Sequence, residues 1–120
     1  MTGFDMRIRT SELPVVIDVD KTLIGDISVN EREGSIALDY YGNKVYANKI
    51  VEHIDLLKSY KARGYEVTVW SANGFQWAKE VVTKLDLMAY VDEVATKPTK
   101  YVDDKDANTW MMRVYINEQN

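Results

Sequence analysis

The chain has 120 residues, 46% of them hydrophobic, a formal net charge of −4, no cysteine and a single histidine, His53. That is room for one domain with one core, and it excludes disulfides, thiolate metal sites and a multi-histidine metal site within one chain. No apolar run is long enough to span a membrane, the N-terminus lacks a signal-peptide core, and no basic block supports strong general nucleic-acid affinity, so a cytoplasmic protein with no membrane partner is expected.

Residues 4–9, "FDMRIR", alternate apolar and polar side chains and predict a short edge strand. Residues 14–18 carry Val15, Val16 and Ile17 in one run and predict a buried strand. Residues 24–49 are polar and turn-rich. Inside them "SIALDYYGNKVYAN" alternates around Gly42–Asn43 and predicts a hairpin. Residues 49–63 place Ile50, Val51, Ile54 and Leu57 on one helical face, and Gly64 fits a helix stop. "YEVTVW", 65–70, predicts a second strong strand. Residues 75–86 then space Phe75, Ala78, Val81, Val82 and Leu85 as one helical face. "VDEVAT" (91–96) and "KYVD" (100–103) read as short strands. Ala107, Trp110, Met111 and Val114 fit a last helix, although "RVYI" reads equally as extended.

Strands alternating with amphipathic helices predict an α/β fold: a three-layer, mostly parallel sheet with helices on both faces. Strand 14–18 is expected in the sheet interior and hairpin 35–47 over the rim at the strands' carboxyl ends, where such sheets bind ligands. Asp18 and Asp20 fall on that rim, as do "SANG" (71–74) and "DDKD" (103–106). Two carboxylates two apart on an extended chain point to one side and repel unless a proton or a cation intervenes.

The motif "VVIDVDKT" resembles the first motif of the haloacid dehalogenase-like (HAD) phosphohydrolase superfamily, an apolar strand followed by Asp-x-Asp-x-Thr. "VTVWS" resembles the second, a Ser or Thr closing a later strand. "TKPTKYVDDKDA" offers the Lys of the third motif and the acidic pair of the fourth. The resemblance covers roughly residues 14–110 and implies a Rossmann-like HAD core. It implies a Mg²⁺-dependent phosphatase that hydrolyses a phosphate monoester, with Asp18 as nucleophile forming an aspartyl-phosphate and Asp20 as general acid and base. Asp18, Asp20 and Asp103–Asp104 offer hard oxygens suited to Mg²⁺. By resemblance Asp18, Asp20 (through its backbone carbonyl) and Asp104 are the direct ligands, and Asp103 lies behind them. Thr22, Ser71, the backbone at Ala72, and Lys97 are the phosphate-binding groups.

Each of these residues has a plainer reading. Ser71 alone fits a helix cap, and Asp106 fits a cap better than a ligand. Lys97 competes with Lys100 and Lys105, and is preferred because Lys-Pro after a strand fits the family pattern. Lys21 stands where Gly or Asn is common in the family and reads as a solvent-facing side chain. His53 reads as a surface or partly packed residue, and Trp70, Trp77 and Trp110 as core.

The whole chain, 1–120, reads as one catalytic domain in which residues 24–48 form a hairpin flap, the minimal cap. Such an open site accepts a phosphate on a polymer end or protein, or on a small molecule if a neighbouring subunit of a homo-oligomer closes over it. Tyr40, Tyr41 and Tyr46 either line that opening or pack the hairpin on the sheet. The alternative function is a catalytically weak binding module that sequesters a phosphorylated ligand.

Overall fold

The apolar run at 15–17 forms a strand, but not the buried one expected: Val15 and Ile17 are half-buried and Val16 is 36% exposed. In the computed structural model, which describes residues 13–114, β1 spans Leu13–Asp18. The expected strand at 4–9 and the end of "RVYI" lie outside the described residues. Two antiparallel strands follow, β2 (Ser35–Tyr40) and β3 (Asn43–Asn48). Helix α1 (Val51–Ala62) leads to β4 (Tyr65–Ser71), and helix α2 (Phe75–Lys84) leads to β5 (Glu93–Thr96). β1 pairs in parallel with β4, and β4 with β5, giving the order β1–β4–β5 with the β2–β3 hairpin separate. This is a parallel α/β core with a small antiparallel flap, the Rossmann-like HAD architecture expected.

β4 takes the centre because its alternate residues serve the core. Val67, Val69 and Ser71 are fully buried, whereas Glu66, Thr68 and Trp70 are half-buried. α1 supplies Ile54 and Leu57 to this core, and α2 supplies Trp77, Ala78, Val81 and Val82. Val51 and Phe75, predicted on those apolar faces, are instead 55% and 51% exposed at the first residue of each helix, ahead of the buried stripe. α1 ends as read, with Gly64 at φ 90° and its N–H donating to Lys61 O.

The order of strands corrects one expectation. Among the described residues β1 pairs with β4 alone, so the run Val15–Ile17 lies on an edge strand, not in the sheet interior. Residues 100–103, expected as a further strand, form none, and Val102 is fully exposed. Only Tyr101 and Val102 are apolar there, between Pro98 and four charged residues, too little to offset the entropy of ordering a strand. The expected last helix is likewise reduced to one 3-10 turn, Ala107–Thr109. Trp110, Met111, Met112 and Val114 are exposed, so no apolar face packs to stabilise so short a helix.

The hairpin turn falls one residue earlier than read. Tyr41 (φ 50°) and Gly42 (φ 91°) are both left-handed, as a two-residue type I′ turn requires. Asn43 opens β3, its side-chain amide donating to Tyr40 O. The segment between β1 and the hairpin is not merely polar. Val19, Leu23 and Ile24 are fully buried, and the N–H groups of Thr22, Leu23 and Ile24 all converge on Val19 O.

Candidate active site

The parallel register brings three chain segments to one rim. Asp18 closes β1 beside Trp70, and Ser71 closes β4 beside Thr96. Lys97 N donates to Ser71 O, so the lysine leaves β5 at the same level. Its Nζ lies 3.8 Å from Asp18 Oδ1. Lys97, chosen over Lys100 and Lys105, is therefore the lysine the structure sets beside Asp18.

The two carboxylates live in different surroundings. Burial pushes the Asp18 carboxyl above its ordinary value, Lys97 draws it back, and Asp20 adds to the rise. Asp20 is instead held by donors. Its Oδ2 accepts from Ser71 Oγ at 2.9 Å and Asn73 Nδ2 at 3.2 Å, and its Oδ1 accepts from Trp77 Nε1 at 3.0 Å. The protein's own donors thus compensate one of the two charges.

The other expected residues fall as follows. The Ser71 hydroxyl is fully buried and engaged on both sides, donating to Asp20 and accepting from Asn73 N–H at 2.9 Å. Ala72 is exposed on the same turn. Thr22 is half-buried in the turn after Asp20, and its carbonyl accepts from His53 Nδ1 at 2.5 Å. Lys21 between them is left-handed, φ 63°, which gives a physical reason for Gly or Asn there; its side chain points to solvent near Asp26. Asp103 and Asp104 are exposed, and Asp103 Oδ1 accepts from Lys105 N in a local turn.

Magnesium does not fit this arrangement as it stands. Among the described residues no group of three or more His or carboxylate side chains is placed to hold a metal. Asp104 is not brought together with Asp18 and Asp20. The reason is the missing strand at 100–103, which was to carry the acidic pair to the rim.

Several residues of the site were not singled out from sequence. Asn73 holds Asp20, and Trp77, read as core, is buried yet also bonds Asp20. Trp110, also read as core, is 54% exposed. His53, read as incidental, ties α1 to the Asp-x-Asp-x-Thr turn. The flap tip is anchored here too. Tyr41 Oη donates to Asn73 O at 2.6 Å, Tyr40 Oη lies 3.3 Å from Asn73 Oδ1, and the Tyr40 ring meets Trp77 edge-on at 4.9 Å. Tyr46 does not join them; its ring lies under Lys44. A usable signal existed in "SANGFQW": an amide and a donor-only indole between the strand end and the first turn of the next helix.

No helix among the described residues is long and apolar enough to cross a membrane. A comparison with curated proteins finds no match. The family of NLI interacting factor-like phosphatases matches residues 13–111, which include β1 with its Asp-x-Asp-x-Thr turn, the Ser71 loop and Lys97. With this match over most of its length, and with a HAD-type core carrying those motifs, the chain belongs to the NLI interacting factor-like phosphatase family.

Proposed function

We propose that this HAD-type protein hydrolyses a phosphate monoester through an aspartyl-phosphate on Asp18. The observation that carries the reading is the Lys97 ammonium 3.8 Å from Asp18 Oδ1 at the end of β1, a cation set beside the proposed nucleophile, with Asp20 two residues on and oriented by three donors.

In the first step an Asp18 oxygen attacks phosphorus and the bond to the leaving oxygen breaks. Asp20 gives that oxygen its proton. In the second step Asp20 takes a proton from water, the water oxygen attacks phosphorus, and the bond to Asp18 breaks. Lys97 offsets the negative charge gathered at Asp18 and the phosphoryl oxygens. Thr22, the backbone N–H at Ala72, and Lys97 are the proposed phosphate contacts, and Ser71 fixes the loop that presents them.

Superfamily members typically use Mg²⁺, and we extend that to this chain as a proposal. The proposed ligands are Asp18, the Asp20 backbone carbonyl and Asp104, with Asp103 behind, and the proposal requires Asp104 to be brought to the rim. The ion would offset phosphoryl charge. The proposed unit is one catalytic domain with 24–48 as its minimal cap, and the proposed substrate is a phosphorylated small molecule or polymer end.

The test is a screen of phosphate monoesters with and without Mg²⁺, run beside Asp18→Asn. Turnover lost in the variant supports the reading. No turnover on any monoester, with tight binding of one phosphorylated ligand, supports a binding module instead. The unassembled acidic pair is the observation that favours that second reading.

A further inference from the structure

We propose that Trp77 is a positioning residue for Asp20, its indole N–H fixing the carboxylate oxygen that exchanges the proton. The inference rests on the phosphatase reading above and goes beyond it by assigning a role to a residue outside the motifs. A carboxylate offers about four acceptor positions, two on each oxygen. Ser71 and Asn73 occupy both positions on Oδ2, and Trp77 occupies one on Oδ1. The remaining position, where a proton can be given or taken, is on Oδ1, the oxygen that Trp77 holds.

Trp77 is the least ambiguous of the three partners. A hydroxyl can turn and donate elsewhere, and an amide can present its oxygen in place of its nitrogen. An indole N–H only donates. Trp77 is 1% exposed, so its N–H has no water to bond if Asp20 leaves it, and an unmet buried donor is unfavourable. Its ring is fixed in turn. It sits in the first turns of α2, and the flap residue Tyr40 packs edge-on against it at 79°. A line of direct contacts therefore runs from the flap through Tyr40 and Trp77 to Asp20 Oδ1.

The experiment has two arms. In the first, indole N–H signals of the full chain are compared with those of Asp20→Ala by NMR. The Trp77 signal is expected to shift, while those of Trp70 and Trp110 hold still. An unchanged Trp77 signal overturns the assignment, whatever the enzyme does. In the second, Trp77→Phe is assayed on alkyl phosphates, whose leaving oxygen needs a proton, and on 4-nitrophenyl phosphate, whose leaving group does not. The expected loss is about tenfold to a hundredfold on the alkyl esters and several-fold smaller on the nitrophenyl ester. Equal losses on both indicate a merely structural role and overturn the proposal. If Trp77→Phe fails to fold, the first arm decides. No turnover by the wild-type chain on any monoester, with the indole shift present, overturns the phosphatase reading and the positioning role with it. Turnover with no shift overturns the Trp77 assignment alone.

Discussion

Lys97 Nζ stands 3.8 Å from Asp18 Oδ1, joining the end of β5 to the end of β1 across the intervening strand. The pair is half-exposed, so it adds little to stability. Its weight falls on the chemistry. Lys97→Ala is expected to lower kcat/KM by about tenfold to a thousandfold, raising KM as well as lowering kcat, because the ammonium meets phosphate in both ground and transition states. Lys100→Ala, at an exposed position, should leave both constants near wild type. Steady-state kinetics on one phosphate monoester checks this.

Gly74 precedes α2 at φ 106°, a conformation that disfavours any side chain, and a Cβ there would run into Tyr41 Oη. Gly74→Ala should therefore destabilise the protein by about 1–3 kcal/mol in urea unfolding. Adding Tyr41→Ala should return part of the loss, since it removes the clash and leaves the backbone strain. Equal stability of wild type and Gly74→Ala would contradict the described contact between flap and loop.

Asp92 binds two elements at the opposite end of the sheet. Its carboxylate accepts from Lys61 Nζ on α1 at 2.8 Å and from Val67 N on β4 at 2.7 Å. The Lys61 hydrogen bond, followed by that from Val67, holds its carboxyl below the ordinary 3.8. A depressed pKa contributes stability that is present above the unfolded value and is lost as pH falls through the folded one. Asp92→Asn should thus lower Tm at neutral pH, and the gap to wild type should close below pH 3.8. Thermal melts across that range read the sign.

The parts legible in the sequence were those where local pattern and tertiary role agree. Val15–Ile17 followed by Asp18 and Asp20 marks a strand and its chemistry together, and Ile54, Leu57, Val81 and Val82 keep helical spacing. The edge position of β1 was not legible, because three apolar residues in a row read the same in a central strand and in a half-buried edge strand. The C-terminal segment failed for the opposite reason. Its apolar residues suit a strand and a helix, but neither finds a surface to cover. Asn73 and Trp77 act through side-chain geometry that depends on how α2 leaves the sheet, which no spacing rule conveys.

The unassembled acidic pair makes a specific demand on the metal proposal. If Mg²⁺ is held by Asp18 and Asp104, residues 100–106 must move to bring Asp104 to the rim when it binds. Mg²⁺ should raise Tm by mass action and slow amide hydrogen exchange across that segment. Asp104→Asn should remove both effects and Asp106→Asn should largely keep them. Calorimetric binding of Mg²⁺ with no added protection at 100–106 would rule out Asp104 as a ligand.

The covalent role of Asp18 is tested most directly by trapping the intermediate. In Asp20→Asn the carboxylate that activates water is gone, so an aspartyl-phosphate formed with a good leaving group should persist. Mass spectrometry of this variant after mixing with 4-nitrophenyl phosphate should find one phosphoryl group on the peptide containing Asp18, and none in Asp18→Asn. A peptide that stays unmodified, together with wild-type turnover by Asp18→Asn, would contradict the covalent mechanism.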